Sequence, residues 1–160
     1  MEPRINFTDN EVGGKIAKRL FNVNLAIEQS RLPRTVRDLV SLRASQINGC
    51  GWCVDIHTKE AAGAGEDDVR IHLVAAWRHS SVFTEAERAA LALTEEGTRL
   101  ADGAGVSDET WARVREHFDE EQLTALVSLI ALINATNRLG VISGYAGGSY
   151  QPGTMAAQAG

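Results

Sequence analysis

Several signals are missing from these 160 residues, and each absence removes a class of function. No stretch gathers lysine and arginine into a cluster, and 21 acidic residues against 16 basic ones leave a formal charge of -5. A binding surface for nucleic acid or for an anionic membrane is therefore not expected. The opening stretch MEPRINFTDNEVGGK lacks a basic segment followed by an apolar one, so no signal peptide is expected. The longest mostly apolar run, LTALVSLIALI, is short for a bilayer and carries Thr and Ser. These readings point to a cytoplasmic protein. No glycine-rich loop follows a strand-like run, no Ser-His-Asp pattern stands out, and nothing repeats at solenoid periods, so no organic cofactor is expected. Cysteine is nearly absent too, with only Cys50 and Cys53. In a reducing compartment such a lone pair reads as catalytic or metal-binding before it reads as a structural disulfide.

What is present is helical periodicity. With 44% hydrophobic and 23% charged residues, the chain is expected to form one domain over residues 1–160, with its own core. Ile16, Leu20, Val23 and Ile27 recur at three- and four-residue steps and predict an amphipathic helix over 11–30. A second helix opens near Pro33, carries Val36, Leu39, Val40 and Ile47 on one face, and stops at Asn48-Gly49. A third opens at Cys50 and runs to the glycines at 63 and 65. EDDVRIHLVAAWRHS begins with acids suited to a helix start. Thr84 and Glu87 form a capping-box pattern, and Ser107 is a plausible N-cap. The apolar stretch EEQLTALVSLIALINATNRLGVISG predicts a central or interface helix, whereas the tail, 147–160, has little amphipathic signal and is expected to be loose. The fold class is all-α, with roughly seven helices and the C-x-x-C pair at a helix start.

On that helix Cys50, Cys53 and His57 share one face. Free N–H groups and the dipole at a helix start favour thiolate over thiol, and two cysteines three apart can close a disulfide. His57, one turn beyond Cys53, can take or give a proton. Such parts suit peroxide reduction: attack, sulfenic acid, then disulfide. Two plainer readings stay open, a zinc site and inert buried thiols. Zinc would need further ligands, and His72 and His79 fall outside the usual H-x3–5-H spacing. Asp38, twelve residues before Cys50, can approach His57 if the second and third helices form a hairpin, but on spacing alone it reads as a solvated surface acid. Asn134, Asn137 and Arg138 lie on one face of the most apolar helix and read as a structural polar stripe. Trp77-Arg78 could approach the site, and His72, His79 and His117 have no motif partner.

The stretch LVSLRASQINGCGWCVDIHTKEA resembles the core of the alkylhydroperoxidase D-like (AhpD-like) proteins of the carboxymuconolactone decarboxylase superfamily. The likeness runs through HLVAAWRHSSVFTEAERAALALTEEGTRL and DETWARVREHFDEEQLTALVSLIALINATNRLGV, and covers roughly residues 33–142. It implies an all-helical fold, assembly into homo-oligomers (dimers, trimers or hexamers), and peroxidase chemistry at the cysteine pair. In that chemistry Cys53 attacks a hydroperoxide, Cys50 donates a proton and resolves, and His57 and Asp38 relay protons, Asp38 standing where the family usually has Glu. A dithiol reductant, such as a lipoylated protein or a thioredoxin-like donor, would reopen the disulfide. Trp52 stands where the better-known peroxidases have His; it cannot relay protons but can shield a thiolate. Lactone decarboxylation and a non-catalytic redox-sensing or binding role are the competing readings. Paired thiols speak against the former.

Overall fold

The computed structural model describes residues 2–154 and holds seven α-helices and one 3-10 helix, with no strand among the described residues. The helices are α1 (Glu11–Glu28), α2 (Arg34–Ile47), α3 (Gly51–Gly63), α4 (Asp68–Leu73), α5 (Glu85–Thr98), α6 (Asp108–His117) and α7 (Glu120–Ser143). The all-α expectation and the helix starting at the cysteine pair both hold.

Local chemistry sets most boundaries. Asn10 caps α1 by accepting the Gly13 N–H, Ser107 caps α6, and the Thr84–Glu87 capping box forms at the start of α5. A second box, Asp119 with Gln122, opens α7, and Gly144 ends it in the left-handed conformation.

The stretch expected as a helix from Glu66 onward divides. Only Asp68–Leu73 is α-helical, and a 3-10 helix over Val74–His79 follows, irregular at Ala76. Trp77 is the physical reason: its ring turns into the core and its indole N–H donates to Glu95 at 2.9 Å. Carbonyls released by the irregular geometry are taken by Arg88, which donates to Trp77, Arg78 and Ser80 oxygens.

α2 is buried on two sides, which explains its mixed hydrophobic pattern. Val36 and Val40 join Leu93, Val114, Leu126 and Leu129 in one apolar cluster. Leu39 and Leu42 join Ile71, Val74, Trp77 and Leu91 in another. Each fully buried leucine contributes roughly 1.5–3 kcal/mol of transfer free energy. α7 is long and apolar enough to cross a membrane by length and composition, as core helices often are; here Leu126, Leu129, Ile133 and Asn137 are buried inside the protein.

The tail expected to be loose is docked as far as it is described. Residues 147–154 run along α3, with the Gly148 and Tyr150 N–H groups donating to Asp55 at 2.7 and 3.0 Å. The remainder of that tail, 155–160, lies outside the described residues.

Candidate functional site

The α2–α3 hairpin places the cysteines. Asn48 ends α2, and Gly49 makes the reversal at φ 65°, a conformation in which a side chain is strained. The Cys50 N–H then donates to the Ser45 carbonyl at 3.1 Å, and Cys50 becomes the N-cap of α3. Its Sγ accepts the Cys53 N–H at 3.3 Å, so a sulfur does the work usually done by a capping oxygen. Cys50 and Cys53 are joined as a disulfide with Cα atoms 5.3 Å apart, and both are buried.

The reversal is tied down by the polar stripe of α7. Asn48 Nδ2 donates to Asn134 Oδ1 at 3.0 Å and to Asn137 Oδ1 at 2.9 Å, and Asn137 Nδ2 donates to Ser45 Oγ at 3.0 Å. Arg138 adds a bond to Asn134 Oδ1 at 3.0 Å. Asn137 and Ser45 have no exposed surface, so water cannot replace the bond between them. The asparagines hold the loop and do not touch the sulfurs by hydrogen bonds.

α7 also packs on the disulfide. A Cβ on Gly140 would lie 3.0 Å from Cys50 Sγ, 3.4 Å from Cys53 Sγ and 3.3 Å from the Trp52 ring. A side chain at this position would force the sulfurs and the Trp52 ring to give by a few tenths of an ångström. Trp52 in turn packs on Tyr145, ring centroids 5.1 Å apart, and the Tyr145 hydroxyl accepts the Phe7 N–H at 2.7 Å.

His57 sits one turn beyond Cys53, half-buried, and its ring makes no hydrogen bond among the described residues. Burial pushes its pKa down to about 4 against a smaller upward pull from Glu60. The imidazole is therefore neutral at neutral pH, able to accept a proton but not to store one. Asp38 does not reach it: Asp38 Oδ2 accepts from Arg34 Nε at 3.4 Å, and no hydrogen bond joins Asp38 to His57. Burial raises the Asp38 pKa, partly offset by Arg34 and Arg37.

The depressed His57 pKa has a consequence for stability. The unfolded histidine titrates near 6.5 and the folded one near 4, so below pH 6.5 the unfolded chain binds the extra proton and stability falls. The loss accumulates from pH 6.5 down through pH 4 and reaches roughly 3 kcal/mol at 1.36 kcal/mol per unit. Asp38, with its raised pKa, works in the opposite direction at the low end. Urea unfolding at pH 7.5 and 4.5 should show a smaller loss for His57→Gln than for the parent chain; equal losses in both would refute this origin.

Sequence reasoning missed the carboxylates on the outer side of α3. Asp55 pairs with Lys59 at 2.7 Å, which holds its carboxyl below the usual range, helped by the Tyr150 and Gly148 N–H groups against the cost of burial. Burial pushes Glu60 up, but the Tyr150 hydroxyl and the Gly153 N–H, both donating to it, bring it below the usual range. The available signal was Asp55 four residues before Lys59, the spacing of an ion pair along one helix face. Elsewhere, a groove of about 1020 Å³ between α5, α6 and α7 touches Asn48, Asn134 and Arg138 at its polar end and Leu100, Trp111 and Ile130 along its apolar wall. No group of three metal-ligating side chains occurs among the described residues.

Comparison with known proteins gives a consistent picture. The sequence profile of the carboxymuconolactone decarboxylase family matches residues 15–96. The uncharacterized protein YdfG of Bacillus subtilis is 38% identical over 144 residues, 90% of this chain and 96% of that protein. A crystal structure from Agrobacterium tumefaciens, of unknown function and provisionally described as an antioxidant defence protein AhpD, shares 32% identity and a TM-score of 0.86. The match spans 93% of this chain and all of that one. A peroxidase-related protein from Ralstonia eutropha, described as an alkylhydroperoxidase AhpD core, shares the fold at 18% identity and a TM-score of 0.72, over 87% of this chain and 73% of the other.

Proposed function

Because the chain belongs to the carboxymuconolactone decarboxylase family, as an AhpD-like member of it, we propose that it is a thiol-dependent peroxidase. The observation that carries this reading is the disulfide itself, closed at a helix start with a neutral histidine one turn away. In the reduced protein the Cys53 thiolate attacks the distal oxygen of a hydroperoxide, the O–O bond breaks, and the alcohol leaves with a proton from Cys50. The Cys50 sulfur then attacks the Cys53 sulfenic acid, water leaves, and the disulfide forms. His57 accepts the Cys53 proton before attack. Since Asp38 makes no direct bond to His57, its part in the relay is carried through water.

An external dithiol, lipoylated or thioredoxin-like, reopens the disulfide in this scheme. Assembly into a homo-oligomer belongs to the same proposal, supported by the unpartnered apolar side chains Val12, Ile16 and Val23 on α1 and Val127, Val141 and Ile142 on α7. So does a cytoplasmic location, where such donors keep thiols reduced.

The test is direct. Reduced, metal-free protein given one equivalent of an organic hydroperoxide should lose about two mass units as both thiol hydrogens depart. Peptide mapping should place the new bond between Cys50 and Cys53. Thiols that stay free under these conditions would sink the peroxidase reading.

A further inference from the structure

Atoms of three side chains converge on one α-carbon of α7. A Cβ on Gly140 would lie 3.0 Å from Cys50 Sγ, 3.3 Å from the Trp52 ring and 3.4 Å from Cys53 Sγ. The first two distances are tighter than ordinary van der Waals contact and the third is at its limit. A methyl group enters there only if a neighbour yields, and which neighbour can yield depends on the redox state of the pair.

α7 is fastened on both sides of Gly140 and resists withdrawal. One turn before it, the fully buried Asn137 donates to Ser45 Oγ at 3.0 Å and accepts from Asn48 at 2.9 Å, at the end of α2 that leads into Cys50. One turn after it, the Ser143 carbonyl accepts the Arg4 N–H at 2.7 Å. The Trp52 ring is backed by Tyr145, whose hydroxyl accepts the Phe7 N–H. That leaves the sulfurs. While bonded, each is held by its partner, and Cys50 Sγ also accepts the Cys53 N–H. Once the bond is cut, each side chain turns about χ1 on its own. Unbonded sulfurs also stand roughly 1.5 Å further apart than bonded ones. α7 bars movement toward itself, and separation sideways or outward carries at least one sulfur away from residue 140. Crowding at this point is therefore greatest in the disulfide and relaxes in the dithiol.

We propose that Gly140 is a positioning residue that sets the redox balance of the pair: its bare α-carbon leaves the notch against which the Cys50–Cys53 bond closes. The proposal rests on the redox use of the pair in the thiol-peroxidase reading. With a methyl group in the notch, closing the bond costs more, so the pair becomes the stronger oxidant and is more readily reduced. Helix propensity does not produce this effect, since it favours alanine over glycine in both redox states alike.

The full chain and its Gly140→Ala variant, each equilibrated with mixtures of reduced and oxidised dithiothreitol, give the disulfide fraction by thiol alkylation and intact mass. In that exchange the Cys50–Cys53 bond breaks and its sulfurs gain two electrons and two protons, while dithiothreitol loses them and closes its own disulfide. The equilibrium constant for holding the disulfide should fall by about tenfold or more in Gly140→Ala, and tenfold corresponds to about 30 mV. Gly97→Ala is the control, a glycine near the end of α5 whose added Cβ would meet only Ile130, at 3.1 Å. Its equilibrium should match the parent chain. Thermal melts of Gly140→Ala should place the loss of stability in the oxidised form, with the reduced form within about 3 °C of the reduced parent. A variant folded only when reduced would support the proposal. An unchanged or higher constant, an equal fall in Gly97→Ala, equal losses in both redox forms, or a Gly140→Ala chain folded in neither would overturn it. No peroxide enters these measurements, so their outcome is separate from the peroxide-driven disulfide formation that tests the peroxidase reading.

Discussion

Cys53→Ser is expected to lose hydroperoxide consumption by at least about a thousandfold, the scale of removing a covalent nucleophile. Cys50→Ser should instead consume a single equivalent and stop, with a sulfenic acid trapped at Cys53. The roles under test are those of the proposed scheme, and the two sulfurs differ in surroundings. Cys50 Sγ accepts the Cys53 N–H at the helix start, where Cys50 is the N-cap of α3. Cys53 has the neutral imidazole of His57 one turn away to take its proton. Trapping with a sulfenic-acid reagent and peptide mapping decide the matter. A trapped adduct at Cys50 in Cys53→Ser would reverse the assignment.

The parts of this molecule that were readable in advance are those governed by local pattern. The amphipathic periods of α1 and α2, the Thr84–Glu87 capping box and the cysteine pair at a helix start all depend on residues within a turn or two of one another. Asp38 shows where that reasoning stops. Helical spacing says which face a side chain shares, but not whether a closer cation will claim it, and Arg34, four residues earlier on the same helix, does so. The docking of 147–154 was invisible for a different reason. Its contacts include backbone N–H and carbonyl groups meeting Asp55, Lys59 and Glu60 and the Tyr150 hydroxyl on Glu60, and such polar contacts leave no hydrophobic period in the sequence. The irregular turn at Trp77 was hidden as well, since its cause is Glu95, eighteen residues away.

Glu95 itself carries the largest expected effect on stability. In TEEGTRL it reads as one acid on a charged surface, yet it is the hub that joins α2, the 3-10 helix and α5. Its Oε1 accepts from Arg43 Nε at 2.8 Å, Arg43 Nη2 at 2.6 Å and Trp77 Nε1 at 2.9 Å. Its Oε2 accepts from Arg78 Nη2 at 2.9 Å. Burial alone would raise the pKa of this carboxyl, but the bonds from Trp77, Arg43 and Arg78 outweigh it and hold the group ionised. Glu95→Ala leaves the Arg43 guanidinium, only 12% exposed, with a single 3.4 Å bond to Gln46 Oε1, and the Trp77 indole N–H without its partner. Breaking a buried pair from one side costs roughly 3–5 kcal/mol, and for a chain of this size each kcal/mol lowers the melting temperature by about 2–4 °C. A fall of about 6–20 °C is therefore expected in a thermal melt followed by circular dichroism. Arg78→Ala gives the internal comparison, because Arg78 is 52% exposed and water can replace its half of the pair. Its cost should stay within about 1 kcal/mol. Similar small shifts for both variants would mean that the carboxylate is solvated like a surface acid, and the burial of Trp77 would then need another cause.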